Sequence, residues 1–208
     1  MSQRIRRWLP IVTHVGALAP LAALGWMAWQ DQLGPIPVAA ATRLLGRYAL
    51  ALLLLSLVPT AVRIATGYAA LVRVRRTVGL YAFLYAALHV LVFVGIDYNF
   101  DLDLLVTVIS ESRRELVGLT AFLILALLAV TSIRSLVRGL GQYWQAIHRL
   151  VYAAAALVVL HYLWNYKELR TWPVVAGVAL LLLLALRLPP VANWLQRQRG
   201  QKGRGPTR

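Results

Sequence analysis

Six long apolar runs constrain the fold of this 208-residue chain more than any other feature of its sequence. An apolar run of about 18 residues is long enough to cross the hydrocarbon core of a bilayer as a helix. Lipid offers no partners to backbone N–H and C=O groups, and the runs lack the apolar–polar alternation of barrel strands. We therefore predict an all-α polytopic membrane protein, a six-transmembrane-helix bundle. The predicted spans cover about residues 9–29, 44–62, 78–96, 116–133, 146–164 and 172–188.

The distribution of charge predicts the orientation of this bundle. The net charge is +15, yet all seven carboxylates lie in the connections after spans one, three and five. Most of the 22 basic residues lie on the opposite side, which the positive-inside rule makes cytoplasmic, together with both chain termini. Basic segments in this position meet anionic headgroups, so we expect membrane lipids as partners and no nucleic acid. The carboxylates are Asp31, Asp97, Asp101, Asp103, Glu111, Glu115 and Glu168.

The spans and their short connections also predict the domain organisation. We expect a single domain over residues 1–208, in which 189–208 form a basic cytoplasmic tail. The first run resembles a signal peptide, but it is long and lacks a convincing small-residue cleavage site, so we expect a retained first span. The connection 97–115, the longest on the outer side, is interpreted either as a solvated loop or as a docking surface for a periplasmic partner. The short connection 165–171 is a second candidate for that contact.

Four histidines lie within the predicted spans: His14, His89, His148 and His161. Ionisable residues inside a bilayer are rare and costly, and they usually face a bundle interior or a cofactor. His148 and His161 are separated by about 20 Å along a helix, so they cannot bind one iron together. His89 and His161 both fall in the outer halves of spans three and five, which run in the same direction. This depth match predicts axial ligation of a haem between two helices. His14 has no partner at its depth and is interpreted as a packing residue.

A second group of residues is predicted at the cytoplasmic ends of the same spans. Arg75 precedes His89 by fourteen residues on the same helical face, at the level of His148. An arginine stays protonated and is not an iron ligand, so Arg75 or Arg76 is expected to contact a haem propionate or a flavin phosphate, or to belong to a positive-inside cluster. The step from His148 to His161 misses helical alignment by about 140°. His148 therefore stays open as a ligand, a propionate contact or an interfacial residue.

Several motifs resemble the MsrQ family, within the ferric-reductase-like transmembrane superfamily. The first is Arg75-Arg76-Thr-Val-Gly79-Leu80-Tyr81, followed by Leu88-His89. The others are Leu128-Ala-Val-Thr131-Ser132, Trp144-Gln-Ala-Ile-His148-Arg149-Leu150-Val-Tyr152 and Leu160-His161-Tyr162-Leu-Trp164. The resemblance covers nearly the whole chain in length, number of spans and order of motifs, and it is most specific between residues 75 and 166.

This resemblance implies a b-type cytochrome in the bacterial inner membrane. Members of the family take electrons from the quinone pool and pass them to MsrP, the periplasmic molybdopterin subunit that reduces methionine sulfoxide in oxidised envelope proteins. The family's haem histidines map to His89, His148 and His161, and bound flavin mononucleotide (FMN) is also associated with it. Larger relatives carry two histidines on each of two helices. Arg75 stands here where the fourth would be, so the resemblance implies one or two molecules of haem b.

Two features that the sequence lacks, a nicotinamide domain and cysteine, indicate that electron supply and sulfoxide reduction take place on other molecules. The larger relatives carry a cytoplasmic flavin and nicotinamide domain, whereas this chain ends soon after span six, so electrons are expected from quinol or a flavin reductase. The chain has no cysteine, which excludes thiolate metal sites, and sulfoxide reduction is therefore expected on the partner subunit. The alternatives are a stand-alone transmembrane ferric or cupric reductase, a transporter or proton channel with a histidine relay, and a structural scaffold.

Overall fold

The computed structural model describes residues 3–165 and 171–202, and every regular element in those ranges is helical. This confirms the predicted all-α class. A short 3₁₀ helix at Ala70–Val74 precedes α3, and a wide π turn at Phe93–Asp97 continues it. The helices are α1 (Gln3–Trp29), α2 (Pro37–Thr66), α3 (Arg75–Val92), α4 (Leu102–Glu111), α5 (Arg113–Val130), α6 (Arg134–Leu140), α7 (Tyr143–His148), α8 (Leu150–Trp164), α9 (Thr171–Ala185) and α10 (Pro189–Lys202).

The described residues contain four segments that are long and apolar enough to cross a membrane: Arg7–Trp29, Pro37–Thr66, Ala70–Asp97 and Tyr143–Trp164. Two further spans arise if bent helix pairs are counted. Helices α5 and α6 bend by 91° at residues 131–133, and α9 and α10 bend by 65° at residues 186–188. The fold is therefore a polytopic membrane bundle of four to six spans, as its composition predicts.

Helix α3 packs along α2, and α8 packs along α5, so these two pairs form the centre of the bundle. Small side chains let the backbones approach, since Ala82 of α3 and Ala154 of α8 are fully buried. Tyr85 is fully buried as well, and its hydroxyl donates a hydrogen bond of 2.7 Å to the carbonyl oxygen of Ala17. This bond ties α1 to α3 inside the apolar core.

The ends of the bundle differ in charge. The acidic end carries Asp31, Asp97 and Glu115, at the end of α1, the end of α3 and the start of α5. The basic end carries Arg63 and Arg75, at the end of α2 and the start of α3. The acidic and basic ends therefore agree with the alternation of charge along the sequence.

The connections are more ordered than the sequence suggests. Residues 97–115, expected as a loop, contain α4, whose N-cap Asp101 accepts a 3.0 Å hydrogen bond from the backbone N–H of Leu104. The predicted tail begins with α10, which packs against α2. Residues 166–170, and with them most of the second predicted docking segment, lie outside the described residues. The end of the tail, residues 203–208, lies outside them too.

Candidate functional site

His89 of α3 and His161 of α8 face each other near the acidic end of the bundle. Their ring centroids are 6.4 Å apart, and the ring planes are nearly perpendicular, at 83°. A metal–imidazole bond of about 2 Å on each side of one metal places the two ring centroids roughly 6 Å apart. The separation of the two rings therefore matches that of imidazoles on opposite sides of a single metal.

Hydrogen bonds from neighbouring helices orient both imidazoles. The Nδ1–H of His89 donates to the carbonyl oxygen of Thr42 on α2 at 2.8 Å, and that of His161 donates to the carbonyl oxygen of Arg114 on α5 at 2.9 Å. A proton held on Nδ1 leaves the lone pair on Nε2, which is the tautomer that binds a metal. Neither Nε2 atom has a protein partner among the described residues.

Two glycines make room for these rings. A Cβ atom built on Gly46 of α2 would lie 3.2 Å from Cε1 and Nδ1 of His89. A Cβ atom on Gly118 of α5 would lie only 2.8 Å from the same two atoms of His161. Each imidazole thus lies directly against the backbone of the neighbouring helix. Neither position is identifiable from the sequence, since an isolated glycine in an apolar helix carries no signal of its own.

A cavity of about 510 Å³ lies between α2, α3, α5 and α8 and includes both histidines in its lining. Its volume is in the usual range for cofactor sites. The lining is mostly apolar, and charged groups occur towards the acidic end, among them Arg43 and Arg114. Arg114 also pairs with Glu115 and donates a 3.1 Å hydrogen bond to Oδ1 of Asn165. The cavity therefore combines an apolar body with a charged rim.

The side chains available as metal ligands limit which metal or cofactor this cavity can hold. In the described part of the chain, no group of three or more His, Cys, Asp and Glu side chains is placed to bind a metal. His89 and His161 can offer two ligands, and an iron bound by them would need its remaining ligands from a cofactor. A porphyrin supplies four nitrogens in a plane and leaves two axial positions for imidazoles. The residues present fit a haem with two axial histidines.

His148, Arg75 and Arg76 lie at the basic end and do not line this cavity. The ring of His148 stacks on Trp144, with centroids 4.0 Å apart. Its Nδ1 is 3.2 Å from the carbonyl oxygen of Trp144, and its Nε2 is 3.4 Å from Oγ of Ser132. Both ring nitrogens therefore have protein partners, in contrast to the free Nε2 atoms of the facing pair.

The two arginines contact the same region from α3. Nη1 of Arg75 donates a 3.1 Å hydrogen bond to Oγ1 of Thr60, and Nη2 of Arg76 donates to the carbonyl oxygen of Ser132. Ser132 thus contacts both Arg76 and His148. The structure brings the three predicted inner residues into one cationic group, separate from the His89–His161 pair.

Arg187, between α9 and α10, joins this end of the bundle without any sequence signal beyond its charge. Its guanidinium donates a 2.6 Å hydrogen bond to the carbonyl oxygen of Leu57 and another to the hydroxyl of Tyr152, and it lies over the Tyr152 ring at 4.9 Å. One side chain thereby connects the last helix pair to α2 and α8.

We expect Arg187→Ala to lower the stability of the bundle by about 1–3 kcal/mol, because it leaves the carbonyl of Leu57 without this donor and removes the contact with Tyr152. The measurement is the thermal unfolding midpoint of the detergent-solubilised protein. Arg197→Ala on α10 is the matched control and should leave the midpoint within about one degree. Equal midpoints for the parent and Arg187→Ala would show that these contacts do not hold the last helix pair.

Comparison with known proteins gives a consistent family assignment. Residues 45–159 match the family described as "Ferric reductase like transmembrane component". A Rhodospirillum rubrum relative named "Protein-methionine-sulfoxide reductase heme-binding subunit MsrQ" is 41% identical over 198 residues, which cover 95% of this chain and 93% of the relative. Proteins with the same name from Bordetella pertussis and Xanthomonas campestris pv. campestris are 39% identical over 199 residues and 40% identical over 177 residues. They cover 95% and 82% of this chain, and 95% and 81% of those relatives. No solved structure matches the chain.

Proposed function

Because the chain belongs to the MsrQ family, within the ferric-reductase-like transmembrane proteins, we propose that it is the haem-binding membrane subunit of a protein-methionine-sulfoxide reductase. It acts as a b-type cytochrome in the bacterial inner membrane. Electrons enter from the quinone pool or a reduced flavin and leave to MsrP, the periplasmic molybdopterin subunit that repairs oxidised proteins. The observation that carries the proposal is the facing pair His89 and His161, at a separation that suits one haem iron.

His89 and His161 would hold the iron of haem b through Nε2, while the carbonyl oxygens of Thr42 and Arg114 accept hydrogen bonds from the Nδ1–H groups of these rings. A bound haem b supplies an iron that accepts and releases single electrons. The apolar lining keeps water from the macrocycle, and a guanidinium such as that of Arg43 suits a haem propionate at the rim. This chain therefore supplies the ligands, their orientation and the dry cavity, and the cofactor supplies the redox chemistry.

The cationic group at the basic end is proposed as the inner cofactor contact. Arg75 and Arg76 suit a haem propionate or the phosphate of FMN, since guanidinium groups bind both in bidentate fashion. The family resemblance makes His148 the candidate ligand of an inner haem iron. Such a role requires the ring to release Ser132, and the described residues contain no second histidine at this level.

The acidic end is proposed to face the periplasm, and both termini the cytoplasm, because the basic residues gather at the opposite end. The haem of His89 and His161 then lies close to the periplasmic surface. Helix α4 and the adjoining carboxylates Asp97 and Asp103 form part of that surface. We propose residues 97–115 as a docking surface for MsrP, because Asp97, Ile109, Arg114 and Glu115 of this segment line the proposed haem cavity.

Reoxidation of the reduced haem tests the transfer of electrons. The purified protein, loaded with haem and reduced anaerobically, should show a b-type spectrum and be reoxidised when MsrP and methionine sulfoxide are both added. The haem absorbance is followed in a stopped-flow instrument, with MsrP alone and methionine sulfoxide alone as controls. A protein without b-type absorbance, or reoxidation as fast without MsrP, would contradict the proposal.

The name of the matching family favours one second function, a stand-alone ferric or cupric reductase. The same reduced protein distinguishes it. A ferric or cupric reductase reoxidises rapidly on addition of chelated Fe(III) or Cu(II) in the absence of MsrP. For the proposed subunit, we expect the reaction with MsrP and methionine sulfoxide to be the faster one.

A further inference from the structure

His14 of α1 and Tyr81 of α3 form a hydrogen-bonded pair inside the predicted membrane region. Nδ1 of His14 is 2.8 Å from the hydroxyl oxygen of Tyr81, and the two rings meet edge to face, with centroids 5.6 Å apart. His14 is exposed, and among the described residues its Nε2 has no protein partner. It lies about 10 Å along α1 from Arg7, at the start of a membrane-spanning segment. The pair therefore presents a free imidazole nitrogen at hydrocarbon depth.

The surroundings of this nitrogen are lipid-facing. On α1, Ile11 and Val15 are 47% and 63% exposed, and on α3, Leu80 and Leu84 are exposed as well. Lipid chains cannot hydrogen-bond Nε2, so its desolvation is costly unless a polar ligand reaches it through the membrane. If His14 served only for helix packing, nothing would offset the free energy of desolvating its Nε2. A small polar headgroup on an apolar tail would satisfy the nitrogen and enter from the lipid.

The pair is also connected to the haem site along α3. Tyr81, Tyr85 and His89 follow one another at four-residue steps on one side of the helix, so Tyr81 and His89 are about 12 Å apart along its axis. Tyr85 is fully buried between them, and the ring of Tyr48 meets it edge to face at 5.8 Å. The buried ring of Tyr85 thus lies between a ligand bound at Tyr81 and the proposed iron ligand His89.

We propose that His14 and Tyr81 form the binding site for the headgroup of a membrane hydroquinone, the electron donor of the proposed cytochrome; this inference rests on the proposed function. Oxidation of one hydroquinone to quinone releases two electrons and two protons. A haem held by His89 and His161 would take one electron at a time, so the second electron would leave the bound semiquinone-level donor only after the partner subunit MsrP and its methionine sulfoxide substrate had reoxidised the haem. The first hydroxyl proton would go to Nε2 of His14, and the second to water at the basic end. Tyr81 would be a positioning residue: in the tautomer that the proposal requires, its hydroxyl oxygen accepts a hydrogen bond from Nδ1–H of His14, which leaves the lone pair on Nε2.

Quinone binding and quinol-driven haem reduction test this site. The solubilised, haem-loaded protein is titrated with decylubiquinone by tryptophan fluorescence quenching, and its haem is reduced anaerobically with decylubiquinol. We expect His14→Leu to weaken binding and slow quinol-driven reduction by about tenfold or more, which is the effect of losing about one hydrogen bond. Tyr81→Phe should reduce both several-fold. Haem content and reduction by dithionite or reduced FMN should equal those of the parent.

Two substitutions outside the proposed site serve as controls. Thr13→Val removes a hydroxyl next to His14 that bonds only to its own helix, and Tyr143→Phe removes an exposed phenol on α7. Both should bind decylubiquinone within about twofold of the parent. If His14→Leu fails to retain haem, Tyr81→Phe decides the question, since it removes a single oxygen atom.

Several results would overturn the inference. They are a parent protein that does not bind decylubiquinone, a His14→Leu variant that binds it as tightly as the parent, and equal slowing of reduction by decylubiquinol and by reduced FMN. A parent protein without any b-type spectrum contradicts the proposed function instead. The binding titration still reports on His14 and Tyr81 in that case, so the two failures are distinguishable.

Discussion

Replacing either His89 or His161 with alanine should abolish the same b-type haem. In the proposed function each imidazole supplies one of the two protein ligands, and no other His, Cys, Asp or Glu in the described residues forms a metal-binding group with them. Losing a ligand is expected to cost more than losing the groups that orient it, which typically changes metal affinity 10–100-fold. Haem per chain should therefore fall at least about tenfold in each variant. The measurements are haem quantification and the reduced-minus-oxidised spectrum.

The double variant His89→Ala/His161→Ala should retain as much haem per chain as either single variant, because both residues are proposed to bind one iron. His148→Ala is the matched control. It removes an imidazole from the same region of the chain but from outside the cavity, so it should spare this haem and remove a second, separate signal if an inner haem is bound. If the spectrum survived both His89→Ala and His161→Ala, the pairing of these rings around an iron would be wrong.

The fold class and the depths of the histidines could be predicted from the sequence, because both depend on local quantities. The length of an apolar run decides whether a helix spans a bilayer, and the number of residues from its start decides the depth of a side chain. Counting residues from the start of each span is therefore enough to predict that His89 and His161 lie at a similar depth in the membrane. Which helices lie next to each other could not be obtained in this way, and the pairing of α3 with α2 and of α8 with α5 is visible only in the structure.

The backbone groups and glycines that complete the site could not be predicted from the sequence either, because they also depend on which helices are adjacent. The carbonyl oxygens of Thr42 and Arg114 orient the histidines across 47 residues of chain in both cases, and a carbonyl has no side-chain signature. Gly46 and Gly118 matter only because an imidazole of another helix lies against them. Contacts of this kind depend on how the helices pack, and the residue type at one position does not reveal which residue of another helix lies against it.

For His148, helix geometry limits what can be predicted from the sequence. An ideal helix from His148 to His161 leaves the two side chains poorly aligned, which keeps the role of His148 open from the sequence. The structure divides this stretch into α7, which ends at His148, and α8, which begins at Leu150. Arg149 between them keeps right-handed helical backbone angles, φ −69° and ψ −23°, and its N–H bonds to the carbonyl oxygens of Gln145 and Ala146, so the two helices continue one span. The misalignment expected from ideal helix geometry therefore holds in the structure: His148 stacks on Trp144 at the basic end, and His161 lines the cavity.

A graded series of glycine substitutions should reveal how tightly the cavity holds its histidines. In Gly118→Ala the new Cβ would lie 2.8 Å from two ring atoms of His161, so the ring must move. Its Nδ1 is bound to the carbonyl oxygen of Arg114, and movement breaks that bond or displaces Nε2 from the iron. Because changes in orienting groups typically cost 10–100-fold in metal affinity, we expect haem retention in Gly118→Ala to fall about tenfold or more.

Gly46→Ala should have a smaller effect, since its Cβ would lie 3.2 Å from the His89 ring and a shift of a few tenths of an ångström relieves the contact. Gly16→Ala on α1 is the matched control, because nothing lies within 4 Å of its Cβ, and alanine should stabilise that helix by about 0.5–1 kcal/mol. Haem per chain and the thermal midpoint are measured for all three variants. The expected order of haem loss is Gly118→Ala, then Gly46→Ala, with Gly16→Ala equal to the parent. Equal haem retention in all three would mean that the rings of His89 and His161 are free to move, so that close packing against α2 and α5 plays no part in holding the cofactor.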